Sequence, residues 1–348
     1  MKRLLFLAVA LVLALSAGAQ RQYRAYAIGF YNQENLFDTV HDEGKIDNEF
    51  LPSGSYHWDG LKYGNKLRNM AQALADMGTD VIKGVGCALI GLSEVENDRV
   101  LDDLVAQPAL AERGYKYVHI EGPDLRGVDC ALLYNPALFT LESQELYPYV
   151  QRMEGNPNFV TRGYLTVTGL LAGERVTVMV CHLPSRFHGS PYREQGAEQM
   201  RAIKDSILAA DPARKIFIMG DMNDDPTNKS MRTALRAKGS KEEVKEGDMF
   251  NPWYNLLVKE GKGTLMYRGS WNLFDQIVMT PNLVEQKTPM DFSTLKYWKC
   301  RIQRMPYLFQ TEGPYKGSPK RTTAGGVWLN GYSDHLPVVV YLMKEKKD

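Results

Sequence analysis

The feature that most constrains this fold is a recurring unit: a short apolar run that ends at a carboxylate, a carboxamide or a histidine. Its clearest copy is Ile216-Phe217-Ile218-Met219-Gly220-Asp221-Met222-Asn223-Asp224-Asp225-Pro226. Four apolar residues entered from Lys215 read as a buried strand. Gly220 reads as a turn, and Asp221 and Asn223, two apart, point the same way at the strand's mouth. Asp224, Asp225 and Pro226 end the strand, and Thr227 or Asn228 is placed to cap a helix begun by Lys229-Ser230-Met231. One such Asp/Asn turn means little by itself. Its repetition along the chain is the informative part.

Residues 26–31 form an expected strand leading into Asn32 and Glu34, and residues 87–92 one leading into Glu94. Residues 175–181 lead into His182, Asp275 lies within an expected strand over 271–279, and Ser333-Asp334-His335 precedes one over 336–342. Further strands are expected at 116–120, 128–134, 139–146 and 164–170. Helices are expected from the cap Asp59 to about Met77, over 99–106 and over 193–210. Most of the strands lie too close together for helical crossovers, so their pairing is expected to be largely antiparallel. With no sequence repeat, low-complexity tract or linker, residues 20–348 read as one α/β domain.

Residues 1–19 read separately. Lys2-Arg3, an apolar run from Leu4 to Leu15 and the small residues Ala17-Gly18-Ala19 before Gln20 have the order of a secretory signal peptide. The run is too short to span a bilayer stably, so no transmembrane segment is expected after cleavage, and a periplasmic or extracellular destination is. Cleavage removes two of 42 basic residues and none of 41 acidic ones, leaving 40 against 41 and a formal charge of −1. That balance argues against affinity built mainly on phosphate neutralisation. Cys87, Cys130, Cys181 and Cys300 fit no zinc spacing; Cys130 and Cys181 read as buried thiols in strands, and no disulfide is assigned.

Taken together, the motifs resemble the endonuclease/exonuclease/phosphatase family of metal-dependent phosphoesterases. They are Tyr31-Asn32-x-Glu34-Asn35-Leu36-Phe37-Asp38, Ile90-Gly91-Leu92-x-Glu94-Val95-Glu96-Asn97, His182-Leu183-Pro184-Ser185, Gly220-Asp221-x-Asn223, Asp275-Gln276-Ile277 and Ser333-Asp334-His335-x-Pro337. They run in the family's order over nearly the whole mature chain. The resemblance implies a deoxyribonuclease-I-like fold: a two-sheet sandwich of mostly antiparallel strands flanked by helices, with the site at one edge. It also implies metal ligation by Glu94 with Glu34 and Asp334, and a catalytic set of His182, Asp221, Asn223, Asp275 and His335. Asp221 would orient or deprotonate the attacking water, and Asn223 would donate to a phosphoryl oxygen. His335, held by Asp275, would hydrogen-bond the phosphate, and Asn32 would bind substrate. Hard carboxylate oxygens without a thiolate favour Mg²⁺, with Mn²⁺ and Ca²⁺ as alternatives.

Two further assignments come from the residues alone. Asp129, in an apolar strand, needs a partner, for which His182 is a candidate beside a plain strand-edge role. Arg186, four residues beyond His182, is a candidate contact for a substrate phosphate beside a plain surface-loop role. On substrate, residues 296–321 read as a loop with seven basic residues against one acid, interleaved with Tyr297, Trp298, Tyr307, Phe309 and Tyr315. Such a mixture suits a nucleic acid whose bases stack, or equally a solvated loop whose aromatics simply pack. An endonuclease-like phosphodiesterase acting as a monomer is therefore the leading expectation. A phosphatase or phosphodiesterase for small molecules or lipid headgroups is the alternative, and an inactive binding module is a third.

Overall fold

A computed structural model describes residues 21–346, so the expected signal segment lies outside the described residues. One sheet has six strands in the order β14 (Lys296–Ile302), β17 (Val338–Glu345), β1 (Tyr23–Leu36), β2 (Leu89–Val95), β4 (Asp129–Tyr134) and β3 (Lys116–His119). The other has seven: β5 (Phe139–Tyr147), β6 (Tyr164–Leu171), β7 (Glu174–His182), β8 (Lys215–Asp221), β13 (Asp275–Met279), β10 (Met249–Phe250) and β9 (Ala237–Lys238). Two short hairpins, β11 (Leu265–Tyr267) with β12 (Ser270–Asn272) and β15 (Thr323–Ala324) with β16 (Val327–Trp328), stand apart from them.

Most neighbours are antiparallel, as the short connections require, but each sheet has a parallel pair of long strands, β1 with β2 and β7 with β8, and the two-residue strands β9 and β10 at one end of the seven-stranded sheet are parallel as well. A parallel pair needs a crossover, and a long helix supplies it for both pairs of long strands. Helix α1 (Gly60–Asp76) lies between β1 and β2 in the chain, after α1 comes α2 (Asp98–Val105), and α3 (Ser190–Ala210) links β7 to β8. The expected cap is present at α1, where the Asp59 carboxylate accepts from Lys62 N–H at 3.0 Å.

Alternation along the strands divides the core into layers. In β8, Phe217 and Met219 pack into the cluster between the sheets, with Ile28, Phe30, Leu132, Val178 and Ile277. Ile216 and Ile218 face the other way, against Ala197 and Met200 of α3. The same division runs through β1, whose Tyr31 and Ala27 meet Leu67, Met70 and Leu74 of α1. A period-two pattern with both faces buried gives the continuous apolar runs seen in the sequence.

Several local expectations are corrected. Gly220 is inside β8, not at a turn; a Cβ there would lie 2.0 Å from the Cys181 carbonyl oxygen, so glycine permits close approach to β7. Neither Thr227 nor Asn228 caps a regular helix: Ser230–Ala234 is a short π-type turn, and the Asn228 side chain instead accepts from Asp225 N–H at 2.8 Å. The expected strand over 271–279 divides into β12 and β13. Between them Leu273 N–H donates to Asp225, and Phe274 C=O accepts from Met222 N–H, which carries the chain from hairpin to sheet. The expected loop over 296–321 begins with β14, paired to β17. All four cysteines are free thiols, with Cys87, Cys130 and Cys181 buried.

Candidate active site

Strand direction explains why residues so distant in sequence meet. The parallel strands β1, β2, β7 and β8 end at the same edge where their antiparallel neighbours β17 and β13 begin. In register, His182 of β7 lies beside Asp221 of β8, and Asp221 beside Asp275 of β13. Three candidate side chains thus form a row across three adjacent strands. In the facing sheet Asn32 of β1 lies beside Ser93 of β2, so Glu34 and Glu94 leave the same edge.

Hydrogen bonds join the two sheets at this edge. Asn32 Nδ2 donates to Asp221 Oδ2 at 3.0 Å and to Glu94 Oε1 at 3.4 Å, while its Oδ1 accepts from Glu34 N–H at 2.8 Å. Glu94 Oε2 accepts from Asn35 N–H at 2.9 Å. His335 Nδ1 lies 2.7 Å from Asp275 Oδ2, and its Nε2 lies 3.7 Å from Asp221 and 3.9 Å from Asp334. His182 Nε2 is 3.6 Å from Asp221 and 3.9 Å from Glu94, short of direct hydrogen bonds. Asp221 Oδ1 accepts from Asn223 N–H at 2.9 Å, and Asn223 Nδ2 donates to the Leu183 carbonyl at 2.9 Å. Asn223 is therefore already engaged through the group expected to meet a phosphoryl oxygen.

Three of these residues have left-handed backbones: Glu34 at φ 46°, Glu94 at 60° and Asn223 at 48°. Each such non-glycine conformation costs of order 1–3 kcal/mol, and the surrounding hydrogen bonds hold it. The strain falls where strands give way to side chains aimed at the edge.

Burial and charge set the protonation states. Burial, helped by Asp275 and opposed by His335, pushes Asp221 up to about 7. Burial likewise pushes Glu34 up to about 7, helped by Asp334 and opposed by Lys66 and Arg321. Burial would raise Glu94 too, but Arg126 and other positive neighbours outweigh it and hold Glu94 at about 2. Burial and the nearby Arg162 keep His182 well below its ordinary range. Burial alone would lower His335, but the Asp275 and Asp221 carboxylates reverse that and hold it well above.

Other expectations are redistributed. Asp129 is not a partner of His182: its Oδ2 accepts from Gly122 N–H at 3.1 Å and lies 3.5 Å from His119 Nε2. Its place at the start of β4, opposite Val95, gives it to the neighbouring strand β3. Arg186 is tied into the turn after β8, donating to the Asn223 carbonyl at 3.1 Å and to Asp225 at 2.9 Å, over the Phe274 ring. It braces Asn223 more directly than it reaches toward a ligand.

The carboxylates do not ring one gap. Among the described residues no three His, Cys, Asp or Glu side chains close into a metal-holding group. Arginines hold them apart instead: Arg321 bridges Glu34 (3.0 Å) and Asp334 (3.2 Å), and Arg126 lies 3.6 Å from Glu94. Like charges at one edge repel, and guanidinium groups between them lower that repulsion. The donor chemistry still fits a hard divalent cation, since Glu34, Glu94 and Asp334 offer only oxygen and Asn32 ties two of them into one frame.

Sequence reasoning missed Arg126 and Lys66 and counted Arg321 without placing it. Lys66 carried a signal: it precedes Met70, Ala73 and Met77 by four, seven and eleven positions, so it sits on the apolar stripe of α1. Its ammonium is buried and donates to Thr322 Oγ1 at 2.6 Å and to the Tyr332 carbonyl at 2.5 Å. Thr322 N–H in turn donates to Glu34 Oε2 at 2.6 Å.

With this geometry in view, the comparisons are decisive about kinship. A profile of the endonuclease/exonuclease/phosphatase family matches residues 27–344. The chain belongs to that family. Members of the family are phosphoester hydrolases, nucleases and phosphatases among them. A family member from Bacteroides thetaiotaomicron is 14% identical with a TM-score of 0.55, over 93% of this chain and 97% of that one. A mannosyl-6-phosphatase from the same organism is also 14% identical with a TM-score of 0.55, over 91% and 99%. D. rerio TDP2, complexed with a single-strand DNA product, is 14% identical with a TM-score of 0.53, over 91% and 98%. At such identities these similarities establish the shared fold. No curated protein matches the chain.

Proposed function

We propose that this family member is an exported, divalent-cation-dependent hydrolase of compact phosphoesters, with Asp221 as the general base toward water. The observation that carries the reading is the row His182, Asp221 and Asp275, with His335 bonded to Asp275 and facing Asp221. Glu34, Glu94 and Asp334 would hold the cation, which supplies charge relief at the phosphoryl oxygens and the leaving alkoxide. Asp221, held near 7 by burial, accepts a proton from water close to neutral pH. Asp275 accepts the Nδ1–H of His335, leaving the Nε2–H of the charged ring to donate to a phosphoryl oxygen. Asn32 keeps Asp221 and Glu94 in one frame, and His182, kept neutral by burial, closes the opposite side. Export rests on the segment 1–19.

The substrate reading shifts from nucleic acid toward a compact phosphoester because several basic residues of 296–321 are engaged within the protein, while Trp298 and Tyr315 stay exposed. Arg301 pairs with Asp80, Arg304 stacks on Trp271 and Phe309, Lys299 lies over Trp298 and Tyr341, and Lys296 donates to the Asn282 carbonyl. Phe187 supports the nuclease as a second reading: it is 94% exposed in the loop after His182, where a base could stack. The test is hydrolysis of sugar phosphates, small phosphodiesters, lipid headgroup esters and plasmid DNA with Mg²⁺, Mn²⁺ or Ca²⁺. Turnover of a compact ester that stops in excess chelator is expected. Undiminished turnover in chelator refutes the cation, and plasmid cleavage as the fastest reaction selects the nuclease.

A further inference from the structure

Arg321 is the least expected member of the site. Its guanidinium forks across two carboxylates, with Nε 3.0 Å from Glu34 Oε1 and an Nη 3.2 Å from Asp334 Oδ2. We infer that Arg321 is a built-in counter-cation for these carboxylates, displaced when a divalent cation binds; the inference rests on the hydrolase reading above.

Three observations separate Arg321 from a fixed structural pair. First, its anchor is independent of its head. The next residue, Thr322, is held by its own N–H to Glu34 Oε2 and by its hydroxyl to the buried Lys66, so the loop stays docked if the guanidinium leaves. Second, the head is free to leave, since the Arg321 side chain is 45% exposed whereas Glu34 is 3% exposed. Third, the oxygens coincide with those a cation requires. Arg321 lies on one oxygen of each of two assigned ligands, Glu34 and Asp334, while Thr322 N–H already engages the other oxygen of Glu34. A guanidinium and a hard cation cannot share a lone pair at full strength, and their positive charges repel.

Lys66 does not play this part, because it is buried and donates to Thr322 and to the Tyr332 carbonyl. Arg126 lies near Glu94 at a longer 3.6 Å and also donates to the Asn35 side chain. Arg321 alone spans two of the three assigned ligands. Its presence keeps the acidic edge from repelling itself, and its departure is a cost subtracted from cation affinity. A half-exposed forked pair contributes modestly, so the cost is roughly a three- to tenfold weakening of cation affinity.

The test measures cation binding directly. Calorimetric titration with Mn²⁺ and with Mg²⁺ is run on the wild type, Arg321→Gln and Arg321→Lys, alongside melting in chelator. Arg321→Gln is expected to bind the cation roughly three- to tenfold tighter and to melt lower in chelator, with the melting gap closing as cation is added. Arg321→Lys, which keeps charge but not the fork, is expected to fall between. Equal or weaker binding by Arg321→Gln, with normal binding by the wild type, overturns the inference and leaves the hydrolase reading standing. A wild type that takes up neither of these cations, nor Ca²⁺ in the same titration, overturns both.

Discussion

Replacing Asp221 by Asn tests whether this carboxylate is held for chemistry at the expense of stability. The group is 2% exposed, and burial raises it from an ordinary 3.8 to about 7. A carboxylate raised on folding binds more protons in the native than in the unfolded state between those two values. Stability therefore falls as pH rises through that window, and the full cost is present above about 7. At pH 5 the cost is about one unit and at pH 8 about three, or ~1–2 and ~4 kcal/mol at ~1.4 kcal/mol per unit. Asparagine carries no such cost, keeps the acceptor for Asn223 N–H, and turns a second donor toward Asn32 at 3.0 Å. That donor conflict costs about 1–2 kcal/mol. The variant is expected to match the wild type at pH 5 and to exceed it by ~2–3 kcal/mol at pH 8. Thermal and denaturant melts in chelator at both pH values read the difference. Phosphoester turnover should fall roughly a hundredfold or more, as for loss of a positioned base. A variant equally destabilised at both pH values refutes the electrostatic argument, and turnover within threefold of wild type refutes the role.

Asp275→Asn removes the main partner of His335, so the imidazole should lose its charge at lower pH, and NMR titration of that ring should show the downward shift. Glu96 is buried beside Asp38, Asp42 and Asp47 and raised to about 8, chiefly by burial, so its proton is lost at rising cost between about 4.5 and 8. Glu96→Gln should accordingly gain stability over the wild type as pH rises from 5 to 8; a pH-independent difference would contradict this. N-terminal sequencing of exported material should begin at or near Gln20, and recovery of soluble cytoplasmic protein beginning at Met1 would contradict the signal peptide.

The elements legible in the sequence were those governed by near neighbours. Short apolar runs marked β1, β7 and β8, helical spacing with an Asp59 cap marked α1, and the polar residues closing each apolar run marked the edge where the site lies. Those signals need only a few residues on either side, because strand and helix periods are local properties. The neighbours across a sheet were not legible in that way. Nothing near Asp221 indicates that His182 and Asp275 flank it, or that the parallel pairs β1 with β2 and β7 with β8 orient four strand ends together. Asp129 joined His119 and not His182 because sheet order placed β3 beside β4. The partners of Arg301, Arg304 and Lys296, which are Asp80, Trp271 and Asn282, come from other segments and were not legible beside them. Arg321 and Glu34 are 287 positions apart, and only packing of the loop over α1, through Lys66 and Thr322, brings them to 3.0 Å. Local pattern determined which side chains stand at strand ends; long-range pairing decided which charges they meet, and therefore their protonation and their chemistry.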